Sequence, residues 1–146
     1  MAETPDSPIE DAVRDDLNTL IGTALGVAGD QLEEQGAFLP VALVLALDGE
    51  MRLVAVSPSA GEGEDLDADV MVDDLYEALT QQRETNRAAA VVCDIHLPEE
   101  DTDAIHVIAE HSSGVSVAAV RPYRQVEGQW TFDEPFLEAG ERAIWT

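Results

Sequence analysis

At 146 residues the chain is long enough to bury a core without disulfides or metal staples, and its 45% hydrophobic content argues against intrinsic disorder despite 31 acidic against 7 basic residues. A formal net charge of −24 disfavours contact with a phosphate backbone or an anionic membrane, because both need clustered cations. A basic protein partner fits that charge, and so does an acidic inhibitor that takes the place of nucleic acid on such a partner.

Cys93 is the only cysteine, so no intramolecular disulfide and no cysteine-based zinc site is expected, and its apolar setting (VVCDI) suits a small core residue. The acidic start, MAETPDSP, lacks the basic and apolar regions of a secretory leader, and no apolar run approaches the ~20 residues of a membrane span. The expected compartment is the cytoplasm. The lysine-free composition, rich in Asp, Glu, Ala and Val, suggests a high-GC genome.

Residues 1–6 read as a disordered tail and 7–146 as a single domain. Ser7-Pro8-Ile9-Glu10 reads as a helix start, with Ser7 as N-cap and Glu10 closing a capping box. Val13, Leu17, Leu20, Ile21, Ala24, Leu25, Ala28 and Leu32 follow at three- and four-residue spacing, one apolar stripe that Gly36 ends. A break near Gly29-Asp30 is expected. Two apolar runs then flank Asp48-Gly49, a hairpin signal, and Val41–Leu47 is apolar throughout, as a strand buried on both faces would be. A two-residue turn would set Leu43 opposite Val54 and Leu45 opposite Arg52. Glu50 and Arg52 mark the second strand as an edge.

Residues 59–69 form an acidic loop, and a second helix starts between Asp67 and Asp74, with Asp74-x-x-Glu77 as its capping box and Met71, Leu75, Ala78, Leu79 and Gln82 turned inward. Strands follow at 89–97, 103–110 and 115–123, with a short extended piece at 129–133. The order is α-β-β-α-β-β-β plus an aromatic C-terminal tail. It implies an α+β fold, a mainly antiparallel five- to six-stranded sheet with two helices on its faces. Roadblock-type and profilin-like modules share that element order.

Phe38-x-Pro40, the Asp-Gly turn, Asp103-Ala104-Ile105 leading to Glu110-His111-x-x-Gly114, Pro122-Tyr123 and Phe132-x-x-Pro135 before Ile144-Trp145 resemble a group of small bacterial proteins, common in actinobacteria, whose function is not established. The resemblance covers most of the chain after residue 37. It implies one folding unit from Phe38 to Trp145 and no activity.

Three constellations carry candidate chemistry. Asp65, Asp67 and Asp69 have the spacing of the first half of a calcium loop, but Val70 and Tyr76 stand where the loop's glycine and bidentate glutamate belong. If Ile95 pairs with Val107 and Leu97 with Ile105, then His96 faces His106, and Asp94 and Glu110 share their side of the sheet, a set suited to zinc or iron. Arg121, Tyr123, Arg124, Trp130, Phe132, Phe136 and Trp145 gather in the last quarter of the chain, and Trp, Tyr and Arg are the residue types enriched at binding hot spots. Packing against the sheet is the other use of such a tail.

No P-loop, dinucleotide fingerprint, nucleophile elbow, H-E-x-x-H or C-x-x-C occurs, and Glu110-His111 are neighbours on a strand, so they point to opposite faces. The expectation is a non-enzymatic, cytoplasmic protein-interaction or regulatory module without a cofactor, acting on a protein partner or on a second copy as a homodimer. A metal-binding protein or enzyme using the His96/His106 face is the alternative, and an acidic inhibitor of a nucleic-acid-binding protein is another.

Overall fold

The computed structural model describes residues 8–36, 40–54, 68–99 and 101–145. Helix α1 (Pro8–Gln35) leads into strands β1 (Val41–Ala46) and β2 (Met51–Val54); helix α2 (Ala68–Gln81) follows, and then β3 (Asn86–Leu97), β4 (Thr102–His111), β5 (Ser116–Val126), β6 (Gln129–Phe132) and β7 (Phe136–Ala139). The strands form one seven-stranded antiparallel sheet in the order β2-β1-β3-β4-β5, with β6 and β7 both on the far edge of β5. The α+β architecture read from the pattern is the one the chain adopts.

Helix α1 runs unbroken through Gly29, where Phe132 packs within 3.7 Å of the position a Cβ would take. Its expected stripe, Val13 to Leu32, is buried against Leu43 and Leu45 of β1, Ala88, Ala90 and Val92 of β3, and Ile105, Val107 and Ala109 of β4. The alanines let the helix lie close to the backbone of the sheet. Gly36 ends it at φ +79°, donating its N–H to the Leu32 carbonyl at 2.8 Å. Ser7 and Phe38 lie outside the described residues.

On the opposite face α2 buries Met71, Leu75 and Leu79, and the last two pack on Ala42, Val44, Ala89 and Val91 with Ile144 of the C-terminal segment. This helix is already under way at Ala68, so Val70–Val72 are helical and Asp74 is an internal residue, not a cap. The β1 strand is thus covered on both sides, and β2 is an edge.

Two registers differ from the expected ones, each because of a loop. The β1–β2 loop has three residues, Leu47-Asp48-Gly49: Ala46 N–H bonds the Glu50 carbonyl at 2.8 Å, Gly49 adopts φ +94°, and Asp48 Oδ1 accepts the Glu50 N–H. Leu43 therefore faces Leu53 and Leu45 faces Met51, and Leu47 lies outside the strand, 62% exposed. Between β3 and β4 the pairs are Cys93 with His106 and His96 with Asp103, three residues away from the expected pairing. An odd shift moves a side chain to the other face.

Strand β7 was not anticipated. Pro122 explains why the edge beside β5 is split in two. Asp133 donates its N–H to the Pro122 carbonyl at 2.9 Å, but proline has no N–H to return. The Asp133 carbonyl instead accepts from Arg121 Nε, also at 2.9 Å. The ladder is interrupted there, and β6 and β7 pair with β5 in registers one residue apart.

A candidate interaction surface

The aromatic residues of the last quarter do not act together. Tyr123 is buried, with Trp130 at 5.9 Å and Phe132 at 6.2 Å between ring centroids, and all three pack toward α1. Trp145 packs on the other face against the α2 cluster and donates Nε1–H to the Arg83 carbonyl at 3.2 Å. Phe136 stands alone on β7, 46% exposed. Arg121 patches the ladder beside Pro122, and Arg124 lies 3.8 Å from the Asp133 carboxylate. Of this candidate set Tyr123 is buried, Arg121, Trp130, Phe132 and Trp145 are half-buried, and Arg124 and Phe136 are exposed.

The four candidate metal ligands are divided by the β3–β4 register. Asp94 and His96 lie on the α1 face, and His106 and Glu110 on the α2 face. Asp94 accepts a hydrogen bond from the Tyr123 hydroxyl at 3.0 Å; burial raises the Asp94 pKa, and the Tyr123 bond opposes that shift. Burial, then the Asp94 charge, pushes the Tyr123 hydroxyl up. His96 donates Nδ1–H to Asp103 at 2.9 Å at the mouth of a polar depression of about 320 Å³ beside Tyr123 and Trp130. Burial lowers the pKa of His106, with Glu138 opposing. Among the described residues no three His, Cys, Asp or Glu side chains are grouped to hold a metal. Asp65 and Asp67 lie outside the described residues, and Asp69 is in the first turn of α2.

Glu110 does something else. Its carboxylate is 1% exposed and accepts the backbone N–H groups of Ala143, Ile144 and Trp145 at 2.7–3.1 Å, pinning the C-terminal segment across the sheet. The Tyr76 hydroxyl, in the same layer, is pushed up to about 12, first by burial and then by the charges of Cys93, Glu110 and Glu141. His111, next to Glu110 in the chain, points to α1 and is tied at both nitrogens: Nε2–H donates to Asp16 Oδ2 at 3.1 Å, and Nδ1 accepts the Ser113 N–H at 3.1 Å. The His111–Asp16 pair is a clamp between helix and sheet. Arg87 completes it with two 3.1 Å bonds to Asp16. A bulge opposite Ala46 re-aims Arg87 toward the helix. Sequence reasoning missed the cluster because 71 and 95 residues separate the partners of Asp16 from it.

The apolar surface that no described element covers lies elsewhere. Helix α1 crosses β1, β3 and β4 and barely reaches β5. The sheet beyond it forms the floor of a groove of about 660 Å³, walled by Val13, Leu17 and Ile21 and floored by Val115, Val117 and Leu137. Val115 and Leu137 are 43% and 60% exposed. All four β7 residues, Phe136-Leu137-Glu138-Ala139, are exposed. A sequence reading could have found this patch only through Phe136-Leu137, an apolar pair between Pro135 and Glu138.

Compared with protein-family models, with curated proteins and with solved structures, the chain matches none. No helix among the described residues is long and apolar enough to cross a membrane.

Proposed function

We propose that the protein is a non-enzymatic, cytoplasmic protein-interaction module, and that it docks its partner where α1 leaves β5 and β7 uncovered. The observation that carries this reading is the continuity of the groove with an exposed edge strand: Leu137 belongs to both. Exposed apolar patches rimmed by polar groups, here Arg14, Asn18 and Ser113, are typical of surfaces that meet another protein. The split of the histidines between two faces supports an interaction role over the metal or enzyme alternative.

Photo-crosslinking in the native cytoplasm tests the reading. A photoreactive residue at Leu137 is expected to trap a species of one defined mass. The same residue at Leu53, 57% exposed on the opposite edge, is expected to trap none. A trapped mass of twice the chain makes the partner a second copy. Equal, diffuse crosslinking at both positions would sink the proposal.

A further inference from the structure

We infer that β7 is a strand-addition site, and that its occupant is an extended, basic segment of a partner protein, alternating cationic and apolar residues. The inference rests on the interaction surface proposed above and names what binds there and how.

The hydrogen-bond parity of β7 leaves its outer side open. Gly140 donates its N–H to the Ser116 carbonyl at 3.1 Å, so 140 and 116 form a hydrogen-bonded pair of the antiparallel ladder. Such pairs alternate, so in the observed register Glu138 bonds Ala118 and Phe136 bonds Val120. The N–H and C=O groups of Leu137 and Ala139 then point away from β5. Among the described residues nothing meets them. Two donors and two acceptors in extended geometry are what an added strand requires.

Natural edges are commonly guarded by cationic side chains, proline or bulges. The far edge of this sheet has such a guard in Arg52, paired with Glu50 at 3.5 Å. Strand β7 has no basic residue and no proline between its first and last positions.

The two faces of β7 specify the occupant. Leu137 and Ala139 share the face of Val117 and Ala119, beside the groove, so the added strand presents apolar side chains there. Phe136 and Glu138 occupy the other face, and Glu134 and Glu141 flank the strand. Those three carboxylates, in a chain of net charge −24, favour cations opposite them. Self-pairing through β7 would instead line both copies' carboxylates along one seam, so charge selects a basic partner over a second copy.

The test titrates the full chain with a hexapeptide alternating arginine and valine. Its controls are the same peptide N-methylated at the residues that would face β7, and a block isomer with its three arginines together. The alternating peptide is expected to bind, to slow hydrogen exchange at the Leu137 and Ala139 amides, and to weaken about tenfold or more on N-methylation. Binding is also expected to weaken between about 0.05 M and 0.5 M salt, as a charge-assisted contact does. Ala139→Pro removes an outward N–H that β5 does not use, so it should fold normally and lose the peptide; Leu137→Pro is the second variant. Equal binding of the N-methylated or block peptide, or protection elsewhere, overturns strand addition. Dimerisation through β7 that salt strengthens overturns the basic partner. A Leu137 crosslink to a partner that fails to compete with the peptide also overturns strand addition, and leaves the interaction surface standing.

Discussion

Glu110→Gln isolates the anchor of the C-terminal segment. The wild-type carboxylate receives three backbone N–H groups on two oxygens. Glutamine is nearly isosteric, but its NH2 group cannot accept, so at least one donor is orphaned and the charge assistance of the others is lost. A charge-assisted bond contributes about 1.5–3 kcal/mol, an ordinary one about 1 kcal/mol, and an orphaned buried donor costs about 1–3 kcal/mol. Letting the segment go instead forfeits the burial of Ile144, about 1.5–3 kcal/mol, and part of that of Trp145. The cheaper route wins, so the loss is capped at about 3 kcal/mol and falls on the tail. At roughly 2–4 °C per kcal/mol for a chain of this size, a loss of about 1.5–3 kcal/mol lowers the Tm by about 3–12 °C. Urea unfolding followed by Trp145 fluorescence, in a Trp130→Phe background, should show Trp145 solvent-exposed before the main transition. Hydrogen exchange should show the Ile144 and Trp145 amides unprotected. A lowered Tm with those amides still protected would refute the anchoring argument, and so would an unchanged Tm.

Other substitutions probe the two cores and the divided candidate site. Leu43→Asp sets a carboxylate between β1 and α1 at a position 4% exposed, and should abolish the cooperative melt; soluble mutant protein that melts cooperatively near the wild-type Tm would show that β1 is not central. Asp94 has a raised pKa, so the folded state favours its protonated form, and the stability this contributes is present at low pH and lost as pH rises through the folded value. Asp94→Asn should therefore melt above wild type at pH 7, with the gap closing on acidification; a gap that widens on acidification contradicts burial as the main cause. His106 has a lowered pKa, so its contribution is present above the unfolded value of 6.5 and lost as pH falls through the folded one. NMR should place its midpoint below 6.5, and lower still in Glu138→Gln; an unchanged midpoint in that variant would remove Glu138 from the environment of His106.

Periodicity carried much of the fold to the surface of the sequence. The α1 stripe from Val13 to Leu32, the doubly buried β1 and the alternation of β3 to β5 are one-dimensional patterns imposed by burial, and they were legible for that reason. Register was less so, because it depends on loop conformation. Leu47 looks like strand and belongs to the turn, and the three-residue shift of His96 against His106 follows from the β3–β4 turn. Strand β7 has no buried residue and hence no alternation to read. Glu110 reads as a metal-ligand candidate, and its anchoring role and the His111 clamp are hidden, because their partners, Ala143–Trp145 and Asp16, are remote in the chain.

The one-residue step that Pro122 imposes between β6 and β7 also bears on assembly. An uninterrupted edge from Gln129 to Ala139 would be a long template on which copy after copy could polymerise into a fibre. With the step in place, an incoming strand in register with Phe136–Ala139 is out of register with Gln129–Phe132. Pairing stops after about one short strand. A residue with no N–H to offer thus acts as a length limit on whatever grows from this edge.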